Sequence, residues 1–77
     1  MERDLVEYIA KSLVDDPASV SVAVVEGDKS TILELRVAAE DIGKVIGKHG
    51  RIAKAMRTIL SASSSAADKR VVLEILD

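Results

Sequence analysis

The chain reads as an α+β domain in which a three-stranded mixed sheet is covered on one face by three helices, in the order α-β-β-α-α-β. Three features predict it. Apolar residues recur at helical spacing near the N-terminus, then alternate at period two, and return to alternation at the C-terminal end. A Gly-Asp turn joins the first two alternating runs, which makes them an antiparallel hairpin. A long helical stretch separates the second run from the third, and a crossover of that length suits parallel pairing.

The elements follow in order. Glu2 to Val14 places Leu5, Tyr8, Ile9, Ser12 and Leu13 at i, i+3, i+4, i+7 and i+8, one stripe of an amphipathic helix. Asp15-Asp16-Pro17 ends it, because proline disfavours helical geometry in the residue before it. With no base or metal ligand beside them, Asp15 and Asp16 read as turn residues. Ser19 to Glu26 is a strand with Val20, Val22 and Val24 on one face. Gly27-Asp28 turns the chain, and Ser30 to Val37 follows with Leu33, Leu35 and Val37 inward. A short helix begins at about Ala39, where Glu40 and Asp41 complement the positive end of its dipole. A longer helix runs from Gly50 or Arg51 to about Ser64. Its inward stripe is Ile52, Met56, Ile59 and Ser63, flanked by Ala55 and Leu60, with Lys54, Arg57 and Ser61 opposite. The serine-rich Ser61 to Ser65 lacks a His–Asp arrangement to activate a nucleophile and reads as a fraying helix end. Arg70 to Leu76 is the last strand, with Val71, Leu73 and Ile75 on one face.

Composition bounds what such a domain can do. Seventy-seven residues are near the lower size at which a core holds without staples. The absence of cysteine removes disulfides and thiolate zinc sites. The hydrophobic 48% is almost all Val, Ile, Leu and Ala, with Tyr8 the sole aromatic, so the core is aliphatic and thin. Self-association would add buried area to it. No apolar run approaches a membrane span, and Met1-Glu2-Arg3-Asp4 is unlike a signal peptide, so a cytoplasmic protein folded as one domain over 1–77 is expected.

A net charge of -2 argues against a general polyanion binder, but its distribution is uneven. Lys44, Lys48, Arg51, Lys54 and Arg57, with His49, fall in one stretch free of carboxylates. Elsewhere six Lys or Arg stand against 13 Asp or Glu, a balance of −7. One basic patch sits on an acidic body.

Within that patch lies Val45-Ile46-Gly47-Lys48-His49-Gly50-Arg51-Ile52, between two helices. So short a link needs backbone angles that glycine adopts without a Cβ penalty. Gly47 fits the left-handed position closing the first helix and Gly50 the start of the next. A plain hinge would need no more. The start of the second helix, however, offers N–H groups and positive dipole to an anion, and glycine lets a phosphate backbone come close. Lys48, His49 and Arg51 add basic groups. A nucleotide-binding P-loop is excluded: Gly43-Lys44-Val45-Ile46-Gly47-Lys48 has three residues between its glycines, not four, and His49 where Ser or Thr would hold magnesium. Gly43 reads instead as a point of close helix contact. A lone histidine without cysteine leaves no metal site, and no cofactor is expected.

The aliphatic pair, the Gly-x-x-Gly, the basic residue and the Ile, set between two helices of a β-α-α-β core, resemble the KH family. The element order resembles its type II, or prokaryotic, arrangement. The length, the run Glu40 to Arg51 and the ending Lys69-Arg70-Val71-Val72-Leu73-Glu74-Ile75 are similar to the KhpA family of small bacterial single-KH proteins. The resemblance implies a non-catalytic protein binding single-stranded RNA, with RNA-chaperone or post-transcriptional roles. Gly47, Lys48, His49 and Gly50 would hold phosphates, and Arg51, Lys54 and Lys44 would add charge. Ile42, Val45, Ile46 and Ile52 would floor the groove near the bases. It also implies a dimer, with itself or with a larger KhpB (Jag-type) KH protein, for which Leu60 and Ala53 at the stripe's edge are candidate contacts, although core packing is the favoured place for Leu60. The alternative is a protein-interaction module on a KH scaffold with little RNA binding, which the acidic net charge favours. An enzyme is not expected, since no acid–base constellation converges anywhere.

Overall fold

The computed structural model describes residues 2–63 and 70–76. Helix α1 spans Glu2–Leu13, strands β1 and β2 Ser21–Glu26 and Ser30–Arg36, helices α2 and α3 Ile42–Ile46 and Arg51–Ser63, and strand β3 Arg70–Leu76. Short 3-10 turns occupy Pro17–Ser19, Ala39–Asp41 and Lys48–Gly50. This is the expected α+β order. The helix was expected to reach about Ser64; residues 64–69, which hold the end of the serine run, lie outside the described residues.

The sheet order is β1-β2-β3. β1 and β2 pair antiparallel from Ser21 opposite Arg36 to Glu26 opposite Thr31. The hairpin closes where the Gly27 N–H donates to the Ser30 carbonyl at 2.8 Å. β2 and β3 pair parallel from Ser30 opposite Arg70 to Arg36 opposite Leu76. Alternation then sends Val22, Leu33, Leu35 and Leu73 to one face, where α1, α2 and α3 supply Val6, Ala10, Val45, Met56 and Leu60. Leu33, Leu35 and Leu60 are almost wholly enclosed, and burying such a side chain stabilises by about 1.5–3 kcal/mol. Both edge strands are guarded by arginine, which blunts the open row of backbone groups that invites mispairing. Arg3 Nε donates to the Val22 carbonyl at 3.2 Å on β1, and Arg57 Nη2 to the Leu73 carbonyl at 3.4 Å on β3.

Both long helices are turned relative to the stripes expected of them. On α1 the buried residues are Val6 and Ala10, with Ile9 packed beside them, while Tyr8 is 72% exposed. On α3 they are Ala53, Met56 and Leu60; Ile59 is 45% exposed, and Ala55 also faces outward. The physical reason is shared. Ala10 and Ala53 are small enough to be enclosed without leaving room for a bulkier stripe, so the inward faces are those of Val6 and Ala10 on α1 and of Ala53, Met56 and Leu60 on α3. Val24, expected inward, is exposed because it lies at the open end of the sheet, beside a notch bordered by Glu2 and Arg3. Leu60 and Ala53 are core residues, so neither is a surface contact for a partner.

Candidate functional site

The loop between α2 and α3 is built by backbone conformation. Gly47 has φ 80 and ψ 168, a positive-φ extended conformation in place of the expected left-handed helical one. His49 adopts φ 60 with ψ 24, and Gly50 φ 72. Three positive φ values within four residues reverse the chain so tightly that α3 begins at Arg51. The Gly47 N–H donates to the Gly43 carbonyl at 2.9 Å and the Gly50 N–H to the Gly47 carbonyl at 3.0 Å. The N–H groups of Lys48 and His49 find no backbone acceptor among the described residues.

The glycines are not equivalent. A Cβ on Gly47 would stand 2.6 Å from Cγ1 and 2.9 Å from Cβ of Ile52, so the loop rests directly on that side chain. A Cβ on Gly50 would meet nothing within 4 Å. Gly43 likewise faces open space, which corrects the expectation of a close helix contact there.

Of the expected binding residues, Lys48, His49, Arg51 and Lys54 are all exposed at the loop and the first turns of α3. Ile42 and Ile52 are half-buried against the core, and Ile46 is exposed. Val45 is 0% exposed, so it anchors α2 in the core and lines no surface. Lys44 is placed differently from the other cations. Its Nζ lies 3.2 Å from Asp15 Oδ2 and 3.2 Å from Asp41 Oδ1. Hydrogen bonding to Asp15, then to Asp41, raises its pKa above the ordinary lysine value.

Two features escaped the reading of the sequence. Asp41, expected in the first turn as a dipole partner, is buried and accepts the Asp16 N–H at 3.1 Å. Burial works to raise its pKa, but hydrogen bonds from the Asp16 and Asp15 N–H groups and from Lys44 outweigh it, leaving the carboxyl below its ordinary value. The acid–lysine spacing of 41 and 44 was visible, but the partner amide lies 25 positions upstream. The second feature is a groove of about 350 Å³ between α3 and the edge strand β3, lined by Arg57, Ser61, Arg70 and Val71–Leu73. The recurrence of Gly50, Lys54, Arg57 and Ser61 at i, i+4, i+7 and i+11 was the available signal for it. These residues share one face, and at 1.5 Å per residue they lead from loop to groove over about 16 Å. No group of metal-ligating side chains occurs among the described residues.

A β-α-α-β core preceded by a helix and a strand, with a Gly-x-x-Gly reversal between its two helices, defines a type II KH domain. The chain belongs to the KhpA/KhpB KH-domain family, whose model matches residues 3–75. The RNA-binding protein KhpA of Treponema pallidum is 58% identical over 77 residues, covering 100% of this chain and 96% of that protein. KhpA of Clostridium acetobutylicum is 60% identical over 74 residues, 96% of this chain and 99% of its own length. KhpA of Aquifex aeolicus is 55% identical over 75 residues, 97% and 95% of the two chains. No solved structure matches the chain. Each of these relatives is named for binding RNA, not for a reaction. Among the described residues no helix is long and apolar enough to cross a membrane.

Proposed function

We propose that this protein is a non-catalytic, cytoplasmic RNA-binding protein, folded as one KH domain over 1–77, that grips a single strand by its phosphates at Gly47–Gly50. The observation that carries the reading is the loop itself. Positive φ at Gly47, His49 and Gly50 leaves the N–H groups of Lys48 and His49 open at the head of α3, beside four exposed basic side chains. A phosphate there meets backbone donors, helix dipole and cationic side chains together. Arg51 and Lys54 continue the contact, and Ile42, Ile46 and Ile52 lie under the bases. The line through Arg57 to the β3 groove extends the path to about the four nucleotides that a KH loop and groove accommodate. Such a reader, short and modestly charged, suits an RNA chaperone or post-transcriptional regulator with many targets.

Replacing Lys48 and His49 together by Asp tests this. Aspartate is among the few side chains that accept the left-handed conformation of position 49, so the fold should persist. Affinity for a short single-stranded RNA should fall at least about tenfold, and the slope of log K against log salt should shrink by about 0.7, the one cationic contact that Lys48 supplies. Unchanged affinity in a folded variant would defeat the reading.

A second reading concerns pairing, and α3 favours it. Ala55, Ile59 and Ala62 stand at i, i+4 and i+7 on an exposed face of the helix. This stripe, in place of Leu60 and Ala53, would meet a second copy or a KhpB (Jag-type) KH protein. Ile59→Asp should abolish association in sedimentation while leaving the thermal midpoint within a few degrees, because a surface substitution changes stability by only about 0.5 kcal/mol. Association that survives the substitution would remove α3 from consideration.

A further inference from the structure

Asp41 is the one charged side chain buried among the described residues, at 2% exposure, and no phosphate contact uses it. Its two oxygens face different elements. Oδ2 accepts the Asp16 N–H at 3.1 Å, from the turn that follows α1, and Oδ1 accepts Lys44 Nζ at 3.2 Å, near the middle of α2. Lys44 reaches back across the same seam to Asp15 Oδ2 at 3.2 Å. The carboxylate and the ammonium therefore close a clasp between the exit of α1 and the beginning of α2. That position has consequences for the loop. α2 holds only five residues, Ile42–Ile46, and a helix so short has no orientation of its own. Val45 and the half-buried Ile42 seat α2 on the core, and the clasp is the polar fastening that ties its start to the turn after α1. Gly47 begins the loop by donating to the Gly43 carbonyl, so whatever sets the rotation of α2 also sets the loop.

We propose that Asp41 is a positioning residue for RNA binding: its buried carboxylate fastens the start of α2 to the turn after α1 and thereby fixes where Gly47–Gly50 presents its N–H groups. The inference rests on the RNA-binding reading of that loop. It assigns Lys44 to the clasp and not to phosphate, and it makes an uncommon statement about sign. A carboxylate beside a polyanion site opposes binding, so neutralising it should help. Asp15 is 84% exposed, so its hold on Lys44 across the seam is screened by solvent and its repulsion of RNA outweighs what it adds to the clasp. Asp41 holds the same lysine from within, so its neutralisation should hurt. Two carboxylates on one ammonium thus act in opposite directions.

The test measures binding of a short fluorescent single-stranded RNA to the full chain and to Asp41→Asn, Asp15→Asn and Lys44→Gln across a range of salt. Thermal unfolding is followed in parallel, so that each protein is titrated while folded. Asparagine at 41 still offers an oxygen to the Asp16 N–H but turns an NH2 group toward Lys44, loosening the clasp without emptying the site. Asp41→Asn should weaken binding by about three- to tenfold with its salt slope unchanged, as expected of a site held loosely instead of one stripped of charge. Asp15→Asn should bind equally or up to about twofold tighter, the modest return expected from one screened surface charge. Lys44→Gln should weaken binding with the slope again unchanged, whereas loss of a phosphate contact would lower it by about 0.7. Should Asp41→Asn unfold too readily to titrate, the Lys44→Gln slope decides alone. Wild-type-like or tighter binding by folded Asp41→Asn, or a slope lowered in Lys44→Gln, overturns the proposal while the RNA reading stands. Failure of the unmodified protein to bind RNA overturns the RNA reading itself, and the positioning role with it.

Discussion

The loop at the head of α3 and the open face of the sheet are opposites in charge and in construction. At the loop, Lys48, His49, Arg51 and Lys54 stand exposed with no acidic residue between them. On the sheet face turned away from the helices, the strand register sets Val25 beside Ile32 and Ile32 beside Val72, and on the next row sets Glu34 directly beside Glu74. Surface charges are screened within about 8 Å at physiological salt, short of every dimension of a molecule measuring 35 × 22 × 17 Å. Net charge is therefore a poor guide to a polyanion's approach here. A chain at -2 can present one end to RNA and another that repels it. The construction differs as well. The sheet face is written in side chains that alternate, and tolerates exchange among them. The loop is written in backbone angles, and one added carbon atom is enough to damage it.

That contrast is broken most severely at Gly47. Alanine there must adopt φ 80, a conformation open almost only to glycine, and must place its Cβ against the branch of Ile52. Strain of about 1–3 kcal/mol joins overpacking of similar size, so Gly47→Ala should lower urea stability by about 2–6 kcal/mol and displace the loop. Gly50→Ala meets no neighbour and carries only the left-handed penalty of about 1–2 kcal/mol, so it should remain folded. Equal losses for the two variants would show that φ alone governs the loop and that the seat on Ile52 is incidental.

The same contrast explains which parts of the molecule were legible in the sequence. Strand faces and pairing directions followed from alternation, the Gly27-Asp28 turn and the long crossover, and β3 was read with the bounds it has, because period two leaves little choice of face. The loop was legible as a glycine spacing, since that spacing is itself the conformational requirement. Helix faces were less so. On α1 the stripe through Leu5, Tyr8 and Ile9 competes with one through Val6, Ile9 and Ala10, and hydrophobic size favoured the wrong one. Close packing decided for the small residue: Ala10 is enclosed, and Tyr8 is left outside. On α3 likewise Ala53 is buried and Ile59 is at the surface. Asp41 could not be read at all. A carboxylate at a helix start normally meets solvent and dipole, and the amide that captures this one belongs to Asp16, on another element.

The smallest test acts on the sheet face. Glu34 and Glu74 are adjacent in a parallel pair, and neither has an ion-pair partner among the described residues. Like charges in that arrangement destabilise by about 0.2–1 kcal/mol, so Glu34→Gln with Glu74→Gln should raise the urea midpoint slightly. The more instructive half is what should not change. If the strand stays at the loop and the helix side of the β3 groove, removing two negative charges from the outer sheet face leaves affinity within about twofold at 0.15 M salt, since exposed charges are screened over about 8 Å. A clear gain in affinity would mean that RNA passes near the sheet as well. The acidic face would then be part of the binding surface, acting as a brake on it, and the division of the molecule into a gripping end and a repelling face would have to be given up.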